Sequence, residues 1–198
     1  MAGEYPCEGF DLVSQLDIDQ LQGELEGNDI WGWTNPETGV EYALMGLDNG
    51  TAFVSLCNPE NPVLIGNLPT HTSSSIWRDI KVYQNHAYIV SEAGGHGMQV
   101  FDLMQLPATS SAPVTYEETA HFGQFGSAHN IALNEETGYA YPVGAFEFNG
   151  GPIFINIQDP ANPLPAGGYA EDGYTHDAQI VVYNGPDTEH VGKEVCFA

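Results

Sequence analysis

The chain has 198 residues, of which 42% are apolar, and carries 27 Asp and Glu against three Lys and Arg, a formal net charge of −24. That composition is globular rather than disordered, and the charge repels nucleic-acid backbones and anionic membrane surfaces while favouring cations as small partners. Solubility in a salty medium, where ions screen the self-repulsion, explains the same acids equally well.

No run of about 18 apolar residues is present, so no membrane-spanning segment is expected. Met1–Cys7 has neither the basic nor the apolar stretch of a signal peptide, so the protein stays inside or a leader has been removed. Cys7, Cys57 and Cys196 allow at most one internal disulfide, in any of three pairings. The 23 Gly and 13 Pro are spread along the chain as turn punctuation, which favours an all-β fold.

In chain order, Asp11–Leu16 reads as a strand, and Asp17–Leu21 as a short helical turn with Asp17 as its cap. Asn35–Gly39 is a turn, Val40–Met45 a strand, Asp48–Gly50 a tight hairpin of the Asn-Gly kind, and Thr51–Leu56 a strand. Asn58–Pro62 forms a rigid corner before the outer strand Val63–Gly66. The order then repeats. Asp79–Tyr83, His86–Ser91 and Met98–Leu103 are strands, with Val114–Tyr116 as the outer one. Asn130–Leu133, Tyr139–Val143 and Ile153–Ile157 follow, with a bulge expected at Pro142. Asp159–Pro163 repeats the first corner, and a fourth unit opens at His176.

Each unit starts with a polar pair leading into a β-type apolar run. The second member falls at Asp29, Asp79, Asn130 and Asp177, in steps of 50, 51 and 47 residues. Four short strands per unit of about 50 residues is the pattern of a propeller blade. The expected fold is therefore all-β, a β-propeller of four-stranded blades with about three and a half blades in this chain. Residues 1–27 precede it as a possible closing strand, 28–76, 77–127 and 128–174 form three blades, and 175–198 the first half of a fourth. An open arc exposes strand edges. Further sequence after residue 198, or another chain, is expected to complete the ring.

The blocks Trp77-Arg78-Asp79-Ile80, His96-Gly97-Met98-Gln99-Val100-Phe101-Asp102 and His176-Asp177-Ala178-Gln179 carry a more specific signal. With Asn28–Trp33 and Ala128–Ala132, they make the chain resemble the choice-of-anchor B proteins, bacterial propellers built of LVIVD repeats. The resemblance runs from Tyr5 to Phe197. It implies a secreted or cell-surface protein with a leader before this sequence, and more blades and a variable anchor after it. It implies no settled activity.

In a propeller, the loops entering the first strands share one face with the loops between second and third strands. The repeat register gathers Arg78, Asp79, His129, Asn130, His176 and Asp177 there, joined by Glu92, His96 and Glu147, with His71 on the approach. His96, His129, His176 and Asp177 are candidate ligands for a divalent cation, Ca²⁺ or Zn²⁺. Trp77, Arg78, Asp79, Glu92 and Asn130 are candidate contacts to another ligand. The same residues can instead tie inner strands to neighbouring loops, and Arg78 can pair with an acid. His86, His121 and His190 fall outside this register and read as surface residues. No nucleophile elbow or zinc-protease motif is present, and no catalytic residue is assigned. The leading expectation is a binding module presenting this face to a small ligand or protein. The alternatives are a hydrolase using a metal-bound water at His129, His176 and Asp177, and a structural surface-layer component.

Overall fold

A computed structural model describes residue 6 and residues 8–198. The described chain is all-β. Its first sheet contains β1 (Gly27–Thr34), β2 (Glu41–Leu47), β3 (Gly50–Ser55) and β4 (Val63–Pro69). The second is built from β5 (Arg78–Tyr83), β6 (His86–Ser91), β7 (Met98–Asp102) and, beyond β8 (Val114–Thr115), β9 (Ala120–Phe122). The third contains β10 (Asn130–Asn134), β11 (Tyr139–Val143), β12 (Ile153–Asn156) and β13 (Leu164–Gly168), and the last pairs β14 (Gln179–Val182) with β15 (Glu194–Phe197). Neighbours within these sheets are antiparallel except for β8, which joins the first sheet as a fifth strand parallel to β4. Their first strands lie side by side, β1 against β5, β5 against β10, and β10 against β14.

The sheets pack face to face, so central strands bury both sides. Along β6, Tyr88 and Val90 enter a core shared with Ile131, Ile153 and Ile155 of the third sheet. The alternate residues Ala87 and Ile89 enter a core shared with Leu44, Phe53 and Ile65 of the first. A strand's side chains alternate between faces, and a strand covered on both reads as a continuous apolar run. Phe53 and Phe101 stack across that core with ring centres 4.6 Å apart. Ala132, Tyr141 and Ile180 join the third sheet to the last.

The turns repeat as the sheets do. Asn35 accepts the N–H groups of Glu37 and Thr38 on its side chain and that of Gly39 on its carbonyl. Asn134 likewise accepts from Glu136 and Gly138. Gln84 and Asn85 both take positive φ, 44° and 62°, in the two-residue hairpin between β5 and β6. The hairpin between β2 and β3 departs from the expected Asn-Gly form. Its two loop residues are Asp48 and Asn49, neither with positive φ. Gly50 is needed for space instead, because a Cβ there would meet the Leu68 carbonyl oxygen at 2.3 Å.

Four further expectations are corrected. Val114–Thr115 is not the outer strand of the second sheet: β8 pairs in parallel with β4, and β9 takes the outer position beside β7. Asp11–Leu16 forms no strand, and Asp17 does not cap the turn at Asp19–Leu21; its N–H donates to Gln20 Oε1 at 2.9 Å. Leu16, Ile18 and Leu21 cover the outer face of the first sheet at Leu47, Ala52 and Val54. Pro142 makes no bulge, because it keeps register opposite Ile131 while the β11–β12 ladder ends at Ala140, where its missing N–H is not needed. Cys57 and Cys196 are exposed and not joined to each other; pairings with Cys7 lie outside the described residues.

Candidate functional site

Polar side chains at the heads of the first strands work as ties. Asn28 Oδ1 accepts from the Arg78 N–H and Asp29 Oδ2 from the Ile80 N–H, at 2.9 and 3.0 Å. One unit on, Asp79 Oδ2 accepts from the Ile131 N–H at 2.7 Å. Each side chain satisfies a backbone donor of the next sheet's first strand, which has no sheet partner on that side. Burial, and then the neighbouring Asp29, raises the Asp79 carboxyl above its ordinary range, while Lys81 pulls it down. Asp79 is thus buried and committed to the fold rather than offered to a ligand.

Arg78 and His96 are also withdrawn from the loop face on which the sequence pattern places them. Arg78 is fully buried; its Nε donates to the Leu47 carbonyl at 2.9 Å and its Nη1 to His96 Nε2 at 3.0 Å. Among the described residues, no acid forms the ion pair expected of Arg78. Asp48 supports the charge from nearby, but burial dominates and lowers the guanidinium to about 10. His96 Nδ1–H donates to the Gly97 carbonyl, leaving the Nε2 lone pair to Arg78. Both ring nitrogens expected to be ligands are therefore engaged. Asp177 is exposed, and its Oδ1 accepts from the Ala178 N–H beside it.

Of the other expected residues, Glu147 accepts from the Gly126 N–H, while Glu92, His129, His176 and Trp77 meet. Glu92 follows β6, His129 precedes β10, His176 precedes β14, and Trp77 precedes β5. Glu92 Oε1 lies 2.6 Å from His129 Nδ1, and His129 Nε2 lies 2.9 Å from His176 Nε2. A carboxylate only accepts, so His129 Nδ1 carries the proton between them; in neutral His129 the Nε2 lone pair then accepts from His176 Nε2–H. Asn130 fixes the far end, donating to the His176 carbonyl at 2.9 Å. Trp77 flanks the pair with its ring centre 5.8 Å from that of His129, and is 44% exposed.

Beside this chain lies an open cleft of about 680 Å³, lined by Glu92, Ser127, Gly144, Phe146, Asn149 and Tyr174. Gly144, at φ +69°, lets the walls close up: a Cβ there would meet His129 Cβ at 2.8 Å and the Tyr174 hydroxyl at 3.0 Å. The lining combines two exposed aromatic rings with amide, hydroxyl and carboxylate groups.

His121, which the sequence reads as a surface residue, is half-buried and stands out together with Glu118, a residue the sequence does not single out. His121 and Glu118 approach His71, and the three offer ligating atoms all within 4.8 Å of one another. His121 lies on β9, opposite Gln99. The sequence pattern points to Val114–Tyr116 as the outer strand of that sheet, which leaves His121 without a strand position. A scan against protein-family models finds no match for this chain, and searches of the curated proteins and of the solved structures find none either.

Proposed function

We propose that the successive sheets are blades of a β-propeller related to the choice-of-anchor B proteins, and that the chain is a secreted or cell-surface binding module. Support for the propeller comes from the near-constant residue step, the neighbouring first strands and the repeated Asn turns. The binding face is the rim formed by Trp77, Glu92, His129 and His176 with the adjoining cleft. The observation that carries it is the Glu92–His129–His176 chain of hydrogen bonds at the lip of that cleft. Such a chain holds a polar edge rigid, while Phe146 and Tyr174 supply stacking surface. The acidic surroundings disfavour anions, so the ligand is a neutral polyhydroxylated or a cationic molecule.

The second reading, a metal-dependent hydrolase, is favoured by one feature. A carboxylate behind an imidazole is the usual outer support of a ligating histidine, and Glu92 stands so behind His129, whose Nε2 lies 2.9 Å from that of His176.

One experiment separates the two. Neutral oligosaccharides and Lys- or Arg-containing peptides are titrated into the protein, following tryptophan fluorescence, with ester and lactone turnover measured in the same samples. Saturable binding without turnover is expected, weakened about 10-fold or more in Glu92→Gln and in Tyr174→Ala. Turnover abolished by chelator and by the His129→Ala, His176→Ala double substitution would establish the hydrolase instead. No saturable binding by any member of the panel would remove the binding face.

A further inference from the structure

A second constellation shares no residue with the Glu92 rim. β4 ends at Pro69, and His71 follows two residues later. The segment returning from β8 passes through Glu118 into β9, which carries His121. The β7–β9 register sets His121 opposite Gln99. These connections bring an imidazole from the first sheet and a carboxylate and imidazole from the second to one lip. It borders an open cleft of about 390 Å³ lined by Pro69, Thr70, His71, Gln99 and Glu118.

The ligating atoms of His71, Glu118 and His121 all lie within 4.8 Å of one another. Bound to one zinc ion at about 2.0–2.2 Å, such atoms stand roughly 3.3–3.6 Å apart, so side-chain rotations of about 1 Å complete the set. The rings of His71 and His121 now stack at 3.6 Å, 10° from parallel. Lone pairs lie in the ring planes, so one ring must turn to aim at a shared ion. His71, on the exposed loop after β4, can do so.

Contacts to residues outside the trio support the arrangement. His121 Nε2–H donates to the His96 carbonyl at 2.7 Å, which leaves its Nδ1 as the nitrogen with the lone pair. Gly97, at φ +61°, makes room for this approach: a Cβ there would come within 3.0 Å of His121 Nε2. Glu118 Oε2 accepts from Gln99 Nε2 at 2.9 Å, while Oε1 meets His71 Nδ1 at 3.0 Å. Gln99 is itself buried, only 2% exposed, and held by a second bond to the Pro69 carbonyl at 3.0 Å. A ligating histidine anchored through its other nitrogen to a carbonyl, and a ligating carboxylate steadied by a buried amide, are the outer contacts a metal centre requires.

We propose that His71, Glu118 and His121 form a divalent-metal site of zinc type, with two imidazoles and one carboxylate as ligands and its remaining positions open to the cleft. Two nitrogens and one oxygen suit Zn²⁺ better than Ca²⁺ or Mg²⁺, which take oxygen ligands. A bound ion staples the end of β4 to the outer strand of the second sheet. It stabilises the fold by mass action, because it binds the folded chain in preference to the unfolded one.

The test uses the whole chain, stripped with chelator and dialysed into physiological salt with excess Mg²⁺ to occupy plain carboxylates. It is titrated with Co²⁺, followed by visible absorption, and with Zn²⁺ by calorimetry. One equivalent is expected, with a cobalt spectrum of mixed nitrogen and oxygen ligation and a raised melting temperature with Zn²⁺. His71→Ala and the near-isosteric Glu118→Gln should each weaken Zn²⁺ by about 10-fold or more, with the circular dichroism of the metal-free protein unchanged. The His129→Ala, His176→Ala double variant should retain the site, which separates it from the ligand rim. Absence of stoichiometric binding would overturn the proposal. So would unchanged affinity in both single variants, or loss confined to the double variant.

Discussion

His96 is buried where the sequence pattern offered it to the rim, and the Arg78 guanidinium faces its Nε2 at 3.0 Å. Burial is the largest influence on it and, with Arg78 adding in the same direction, lowers its pKa to about 4. The unfolded value is about 6.5. A folded pKa below the unfolded one means stability fully present above pH 6.5 and lost as pH falls towards 4. Asp79 acts in the opposite sense. Its raised carboxyl contributes most at acid pH and loses that contribution as pH rises through the folded value. Urea unfolding of the native protein and His96→Asn at a series of pH values isolates the histidine, since Asp79 is common to both. The native protein should lose more stability between neutrality and pH 4.5, by about 1 kcal/mol or more. Parallel profiles would show that His96 does not titrate between the two states. At this scale the sequence identified residue types better than roles. Glu92, His129 and His176 meet on the face where the repeat register gathers them, with Asn130 behind them and Trp77 beside them. Arg78, Asp79 and His96 share that register, but only the packing of neighbouring sheets shows that they are enclosed.

Among the elements, the strands were legible because their causes are local. Apolar runs between Gly, Pro and Asn punctuation recur at a near-constant step, and the two Asn-x-x-x-Gly turns at Asn35 and Asn134 fold alike. The pairing of β8 was not legible. Val114–Thr115 is two residues long, and nothing local decides which sheet edge it joins. The decision is made by Gly66, whose missing side chain leaves room for the Val114 carbonyl; a Cβ would lie 2.1 Å from that oxygen. Tyr116 then packs on Phe53 and Phe101, and its N–H donates to the Asn67 carbonyl at 2.9 Å. Gly66→Ala should displace β8 and cost about 1–3 kcal/mol in urea unfolding. Amide exchange at Tyr116 should become faster. Unchanged protection there would mean that the crossing segment is held by its side chains and not by the β4 edge.

For the molecule as a whole, face-to-face sheets provide the cohesion and the surface charge opposes it. Cores lie between the first and second sheets, between the second and third, and between the third and last. With a formal charge of −24, self-repulsion should weaken the folded state most at low ionic strength. The melting temperature in NaCl should therefore rise by a few degrees or more from low to high salt. A flat or falling curve would show that the acids are already compensated locally. The repeat spacing made the succession of sheets legible, since each unit needs its neighbours to cover its apolar faces. Composition alone could not locate the rim. It depends on three loops from three sheets closing around His129, an arrangement set by tertiary packing.

The measurement that bears most directly on that rim is a nuclear magnetic resonance titration of the native protein with the neutral and cationic ligand panel. It follows the imidazole signals of His129 and His176 and the indole signal of Trp77. These three should shift together and saturate at one ligand concentration, and the Glu92→Gln variant should need about 10-fold more ligand or beyond. Shifts that saturate elsewhere while these rings stay unmoved would contradict a binding site at the Glu92–His129–His176 rim.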